Sequence, residues 1–494
     1  MRAWIIKNER LTLRFLEILP GFFSWNMILL PYWGIFVFPN FVAYFVLLFN
    51  VYWFYQSFLI AITSIISHTR IQASINYDWL SDLKTFNDWK KLNHLIIIPT
   101  YKEPLYILER TVESLICQTL PTKQIQIIIA MEEKELEIDR NSKFKTLNSK
   151  YGKFFGGFYQ TVHKLKIGEV VGKASNEKFA ATWYHNKFLK TKSIDLEYLT
   201  VTSCDADHTF NKNYFSALSF KFLDNPNRYK YFWQPVILFY NNIWQVPSPI
   251  RVLNTLMSIW NLSQLPRKDR LIIGPGHYSL SFKLLHKSGY WDADKIPEDW
   301  GIFFKSFYKM GGGVEVEPIY LPLFADAVQS HNIWQTFKNQ YSQIQRWAWG
   351  TSDDPWIIKN YIVDRKIPFW DKTTRVIHVI WSHFMWPVNW FIITIGLTLP
   401  TIINPAFGRT ALGFMVPKMS SIILTLSLSF LIVMIFIDNV YKPKNVSVWK
   451  RIFSPFEFVL MPLVGFFFGA LPGIDAHTRL MLGKYIEYKV TEKV

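Results

Sequence analysis

Apolar positions along this chain fall into two regimes. Residues 18–67 contain no Asp, Glu, Lys, Arg or His. A membrane-crossing helix needs roughly 20 apolar residues, so this stretch predicts two, turning at Pro39-Asn40. A cleavable leader has an apolar region of only about 7–15 residues, and the stretch is therefore read as a retained hairpin. Residues 376–408 lack Asp, Glu, Lys and Arg, and 419–437 run uncharged from Lys418 to Asp438, which predicts a third and a fourth span. A last apolar run, 458–474, is broken by Pro462, Gly465 and Gly469. That pattern suits a re-entrant or interfacial segment at least as well as a fifth span.

Between these regions the pattern changes. Short runs rich in Ile and Val at 95–98, 125–130 and 199–202 each end in polar or turn residues, and a helix-like stretch, 107–118, separates the first two. Strands buried on both faces and alternating with helices predict an α/β domain with a mostly parallel sheet. The resulting plan is a transmembrane hairpin (1–67), a catalytic-type domain (68–375), two further spans with a basic segment (376–457) and a re-entrant or fifth transmembrane segment with a tail (458–494).

Charge gives the orientation. Arg2, Lys7, Arg10 and Arg14 precede the first span, Lys442, Lys444, Lys450 and Arg451 follow the fourth, and only Arg409 and Lys418 lie between the third and fourth. The positive-inside rule then predicts a multi-pass integral membrane protein whose N-terminus and central domain are cytoplasmic. Of the 494 residues, 50% are apolar and only 18% charged, which excludes a disordered chain. Two cysteines, Cys117 and Cys204, exclude a disulfide scaffold and imply a reducing compartment. The net charge of +17 is scattered rather than gathered in blocks. This argues against a nucleic-acid partner and for anionic lipid and phosphate-bearing substrates.

In open α/β sheets ligands bind beyond the carboxyl ends of the strands. Here those ends carry Thr100-Tyr101-Lys102-Glu103, Glu132-Glu133 and Asp205-Ala206-Asp207. Carboxylates at i and i+2 of an extended chain face one point, as a hard divalent cation, Mg2+ or Mn2+, requires. An isolated Asp-x-Asp is more often a solvated loop; its place at a strand mouth raises its interest. Gly172-Lys173 opens a helix-like segment, where a lysine can meet phosphate or simply be solvated. Glu298-Asp299 precedes an amphipathic segment and could equally cap it. Gln343, Arg346 and Trp347 share one helical face, pairing a phosphate-binding fork with an indole that stacks on sugar.

Taken in order, these motifs resemble glycosyltransferase family 2, in its membrane-embedded, cellulose-synthase-like branch. Asp205-Ala206-Asp207 resembles the metal-binding Asp-x-Asp, and Glu298-Asp299 the Thr-Glu-Asp motif. Gln343, Arg346 and Trp347 match Gln-x-x-Arg-Trp, and the motif from Pro99 to Glu103 resembles the strand end that lines the nucleotide. The tail from Tyr488 to Lys493 is similar to the gating Phe-x-Val-Thr-x-Lys. Glu132-Glu133 stands where the family usually has an Asp pair, and Pro297 replaces the Thr of Thr-Glu-Asp.

The resemblance implies a GT-A-type domain performing inverting hexosyl transfer from a nucleoside diphosphate sugar, with UDP the expected nucleotide. Asp299 would be the general base, with Asp205 and Asp207 binding Mg2+ or Mn2+. The donor would be held by Thr100, Tyr101, Glu103, Glu132, Lys173, Asp205, Arg346, Thr491 and Lys493, and the acceptor by Glu298, Gln343 and Trp347. The expected acceptor is a growing polysaccharide; a membrane lipid or polyprenyl phosphate is the alternative, and a catalytically inactive scaffold a third reading. Four spans are few for a glycan channel, which makes an oligomer compatible with the first reading.

Overall fold

The computed structural model describes residues 2–191, 194–267, 276–396 and 398–488. Thr491 and Lys493 lie outside the described residues. The three Ile/Val runs form β1 (Asn93–Thr100), β2 (Ile125–Glu132) and β4 (Leu199–Ser203), all almost wholly buried. Alternate residues of β1 serve opposite faces of the sheet, as strand geometry requires. Ile96 and Ile98 enter one core, Leu95 and Ile97 the other. With β3 (Gly157–His163) these strands make a parallel block ordered β3-β2-β1-β4. The helix predicted over 107–118 runs Leu105–Ile116 and buries Ile107, Leu108, Val112 and Leu115.

The second half of the sheet departs from the expectation. β5 (Thr209–Phe210), β6 (Tyr231–Leu238), β7 (Tyr278–Ser281) and β8 (Glu315–Phe324) continue the order as β4-β7-β6-β8-β5. β7 runs antiparallel to both its neighbours and β5 antiparallel to β8; only β6 and β8 are parallel to each other. The sheet is therefore mixed rather than mostly parallel. The expected parallel block ends at strands that proline conceals in the sequence: Pro235 sits at a register shift between β6 and β8, and β8 itself contains Pro318 and Pro322. Proline removes a ladder donor and weakens a strand pattern. The antiparallel register has a consequence for chemistry, because it pairs Ser203 with Tyr278. The residues just before β7 thereby lie beside those just after β4.

Five helical stretches, Glu9–Val37, Pro39–Asn76, Phe369–Thr394, Ala411–Tyr441 and Val448–Met481, are long and apolar enough to cross a membrane. Their outer faces expose Phe22, Phe36, Leu48, Ile62, Ile432 and Phe436, a display that water would oppose and lipid accepts. Polar groups turn inward, where Asn50 donates to Ser420 Oγ (3.3 Å). Of the four tryptophans on Phe369–Thr394, Trp381 is exposed and donates to the Tyr52 hydroxyl (2.9 Å).

The last stretch is a chain of short helical pieces, with a 3-10 segment at Ser454–Leu460 and a π turn at Phe466–Ala470. Its glycines are fitted to a neighbour: a Cβ on Gly465 would fall 2.1 Å from the Trp390 ring. Its final helix, Leu471–Met481, docks on helix Glu9–Val37. Arg14 donates to the carbonyls of Leu480 (2.9 Å) and Met481 (2.5 Å), Ser24 meets His477 (3.0 Å), and Trp25 donates to Thr478 Oγ1 (2.8 Å). On its other side Asp475 accepts from Gln345 (2.5 Å), one residue before Arg346.

Candidate active site

The site is assembled where β4 ends, β7 begins and two helices start. Lys173 is the first residue of helix Lys173–Tyr184, and its side chain is only 9% exposed, so it is not a solvated surface lysine. Its Nζ lies 2.7 Å from Asp205 Oδ1 and 3.2 Å from Glu298 Oε1, and donates to the Gly276 carbonyl (2.5 Å). Burial alone would push this ammonium down, yet Asp205, Glu298 and Glu177 hold it well above its ordinary value.

Glu298 and Asp299 begin helix Asp299–Lys309, but the Glu298 side chain caps no helical N–H. Asp299 Oδ2 instead accepts from Gly276 N–H at 3.0 Å. One glycine thus binds Lys173 through its carbonyl and Asp299 through its N–H. Its φ of +73° and its surroundings both demand glycine, since a Cβ would lie 2.7 Å from Asp205 Oδ2. Burial and the adjacent Glu298 carboxylate raise Asp299 well above the usual carboxylate range.

Asp207 is placed differently. It is buried, and its Oδ2 accepts from Asp326 N–H (2.8 Å), while Asp326 pairs with Arg110 (2.6 Å). Asp205, Asp207 and His208 each offer a donor atom within 4.8 Å of the others, an oxygen and nitrogen set that suits Mg2+ or Mn2+. Lys173 and His208 outweigh the burial of Asp205 and keep it below its ordinary value, so it is ionised and able to ligate.

Arg346 and Trp347 diverge. The Arg346 guanidinium stands 4.8 Å over the ring of Tyr488, which lies against Gly172 at the start of the Lys173 helix. Burial raises the Tyr488 phenol, and Glu298 and Asp205 are close enough to add to this. Arg346 therefore borders the carboxylate cluster through Tyr488. Trp347 faces the other way, 6.1 Å from the Phe239 ring and against Val252, Leu253 and Val464. Gln343 accepts from Gln340 (3.1 Å).

At the β1 and β2 ends, Glu103 accepts from Thr100 Oγ1 (2.6 Å) and from Tyr101 N–H. Lys102, with φ of 66°, donates its N–H to Glu135 (3.2 Å), joining the two strand-end loops. Glu132 is engaged by His163 Nδ1 at 3.2 Å, so it is a structural partner of β3 in this state. Among the expected residues, Lys173, Asp205, Glu298, Asp299 and Arg346 are thus brought into one neighbourhood. Asp207 joins through His208; Gln343, Trp347 and Glu132 make their described contacts elsewhere.

Sequence reasoning missed His208, Gly276 and Glu177. The first follows Asp207 directly, and the Gly-Pro-Gly-His at 274–277 is a turn signal that could have marked the second. Glu177 is fully buried beside Lys173, donor Ser203 Oγ lies 2.6 Å from it, and burial pushes its carboxyl up to about 8. It is therefore mostly protonated at neutral pH. Because folding raises this group from 4.5 to about 8, its contribution is fully present at low pH and lost as pH rises through that window. Glu177→Gln removes this loss. Its thermal unfolding midpoint is expected to gain on the parent from below pH 5 to above pH 8, with the gap levelling off beyond; parallel pH profiles would contradict the assignment.

No protein-family model and no curated protein matches the chain. Solved structures do. A mannosyltransferase from Pyrobaculum calidifontis, in complex with GDP-Man and Mn2+, is 12% identical, with 78% of this chain and 99% of that one covered and a TM-score of 0.41. S. aureus TarS 1-349 is 10% identical over 81% and 94% of the two chains, TM-score 0.35. GalNAc-T7 with UDP, GalNAc and Mn2+ is 11% identical over 68% and 66%, TM-score 0.33. The functional reading rests on the geometry above.

Proposed function

We propose that the protein is an inverting membrane glycosyltransferase that moves a hexose from a nucleoside diphosphate sugar, most simply a UDP-sugar, to a growing glycan. The observation that carries this reading is the meeting of Asp205, Lys173, Glu298 and Asp299 around Gly276, with Arg346 beside them across Tyr488.

Asp205, Asp207 and His208 are the residues that would hold Mg2+ or Mn2+. Such a cation supplies neutralisation of the charge that grows on a leaving diphosphate. Lys173 and Arg346 add fixed positive charge on the same side. Asp299 takes the proton from the acceptor hydroxyl as that oxygen attacks the anomeric carbon; the bond to the diphosphate breaks, and the configuration inverts. A raised carboxyl suits this role, because a base works best when its pKa approaches the operating pH. The Gly276 N–H fixes which oxygen of Asp299 remains available. Trp347 would bound the acceptor, and Thr491 and Lys493 would close over the donor. The rate is expected to rise with pH as Asp299 loses its proton, with a midpoint well above the ordinary carboxylate range. A limb centred near pH 4 would argue against Asp299 as the base.

The segment 458–474 is read as interfacial. That reading is supported by its contacts along helices Ser248–Gln264 and Ile333–Ala348 of the central domain, including Phe468 on Phe337 and Val464 on Ile344. A second acceptor, a membrane lipid, is favoured by one observation. A groove of about 780 Å³ lies between helix Ile333–Ala348 and this segment, lined by Trp334, Phe337, Tyr341, Leu463 and Phe467 with Lys338 at its edge. Labelled UDP- and GDP-sugars, incubated with the purified protein, Mn2+ and membrane lipids, separate these outcomes. Label in insoluble polymer supports the glycan acceptor, and label in organic solvent supports the lipid. No nucleotide release from any donor would reject glycosyl transfer and return the protein to a scaffold role.

A further inference from the structure

Directly behind the carboxylates lies a second donor set of different chemistry. Cys204 follows β4 and His277 precedes β7, so the antiparallel pairing of Ser203 with Tyr278 sets them side by side. The turn closed by His208 N–H on the Asp205 carbonyl (3.2 Å) brings the His208 imidazole back to them. One donor atom from each of Cys204, His208 and His277 lies within 4.8 Å of the others, and all three side chains are buried. The His277 Nε2 contacts the Tyr214 hydroxyl at 3.3 Å, which leaves its Nδ1 a buried nitrogen with no hydrogen-bond partner among the described residues. Tyr214 is itself held by Ser279 Oγ (3.1 Å). An imidazole with one nitrogen anchored to a fixed hydroxyl and the other left for an ion is the arrangement in which metal-bound histidines are oriented.

We propose that Cys204, His208 and His277 form a binding site for a borderline-soft transition metal ion, Zn2+ first among them, which shares His208 with the carboxylate pair.

Thiolate and imidazole donors favour Zn2+ strongly over Mg2+, whereas carboxylates and phosphate favour Mg2+ or Mn2+. Cysteine ligates such an ion as thiolate, so uptake displaces the Cys204 proton to solvent, one per ion bound. Among the described residues Lys173 is a neighbouring cation, and Asp205 already engages it. A His208 that ligates in one set is withdrawn from the other. Zn2+ in the cysteine site thus antagonises the Mn2+ or Mg2+ that the glycosyl-transfer reading requires; this antagonism rests on that reading, while the site itself does not.

The test uses full-length protein in detergent, freed of metal by chelation, in a Cys117→Ser background so that Cys204 is the remaining thiol. Titration with Co2+ is expected to produce a thiolate-to-cobalt charge-transfer band that saturates at one equivalent. Cys204→Ser should abolish the band, and Tyr214→Phe should retain it with affinity weakened about 10–100-fold. Unchanged elution and unfolding midpoints of the two variants report that the fold survives; should Cys204→Ser fail to fold, Tyr214→Phe decides alone. No charge-transfer band in the parent, or unaltered cobalt affinity in Tyr214→Phe, overturns the site. Separately, Zn2+ should expel bound Mn2+, read as the reappearing signal of free Mn2+, in the parent. Retention of Mn2+ alongside Zn2+ overturns the sharing of His208, and failure of Mn2+ to bind at all overturns the carboxylate reading while the cobalt band still reports the cysteine site.

Discussion

Asp299→Asn is expected to lower the rate of sugar transfer by about 10²–10⁴-fold, the usual contribution of a general base, while donor affinity stays near that of the parent. The geometry makes the substitution a clean one. An Asn Oδ1 can still accept the Gly276 N–H that now reaches Asp299 Oδ2 at 3.0 Å, so Gly276 keeps this contact. What the amide cannot do is take up the acceptor's proton. Nucleotide-sugar binding by calorimetry, set against initial rates, checks this directly. A variant that loses binding and turnover in equal measure would make Asp299 a donor-binding group and leave the base unassigned.

Lys173→Met is expected to have the largest effect on stability. The side chain is nearly sealed, and it stands between Asp205, Glu298 and the Gly276 carbonyl. Removing one member of a fully buried ion pair typically costs about 3–5 kcal/mol; the Asp205 side chain is 40% exposed and can regain water, so the loss is expected below that range. Methionine preserves the volume, so the loss reports charge. Two dependences should accompany it. The deficit should shrink toward acid, where the stranded carboxylates take up protons, and millimolar Mn2+ should restore more of the unfolding midpoint in the variant than in the parent. A midpoint that ignores both pH and Mn2+ would show that Lys173 acts by packing alone.

How much of this was readable beforehand follows from which forces are local. The runs at 95–98, 125–130 and 199–202 became strands because short β-branched stretches fit a pleated, buried surface, and β1, β2 and β4 are buried accordingly. β6 and β8 were not legible, since Pro235, Pro318 and Pro322 break the pattern that burial in the sheet overrides. The hairpin turn came out at Phe38 and Pro39, as the interruption in apolar character foretold. Within the site, residues with strong chemistry on strand ends or helix starts were identified: Asp205, Lys173, Glu298 and Asp299. The elements joining them were hidden. Gly276 carries no side chain, and its value lies in a backbone carbonyl and N–H that only the β4–β7 register brings into place. His208 and Cys204 needed His277, more than 60 positions away in the sequence, to acquire meaning as a group. Glu132 shows another limit: its position after β2 is local, whereas its hydrogen-bond partner His163 comes from the parallel neighbour β3.

The clasp of helix Leu471–Met481 on helix Glu9–Val37 has a bearing on folding. Arg14, Ser24 and Trp25 find their partners at Leu480, Met481, His477 and Thr478, more than 450 positions along the chain. The helix bearing those partners also grips Gln345 through Asp475. Contacts so distant in sequence carry a large loop-closure cost before they return any stability, and the neighbour of Arg346 gains its anchor only once that loop has closed.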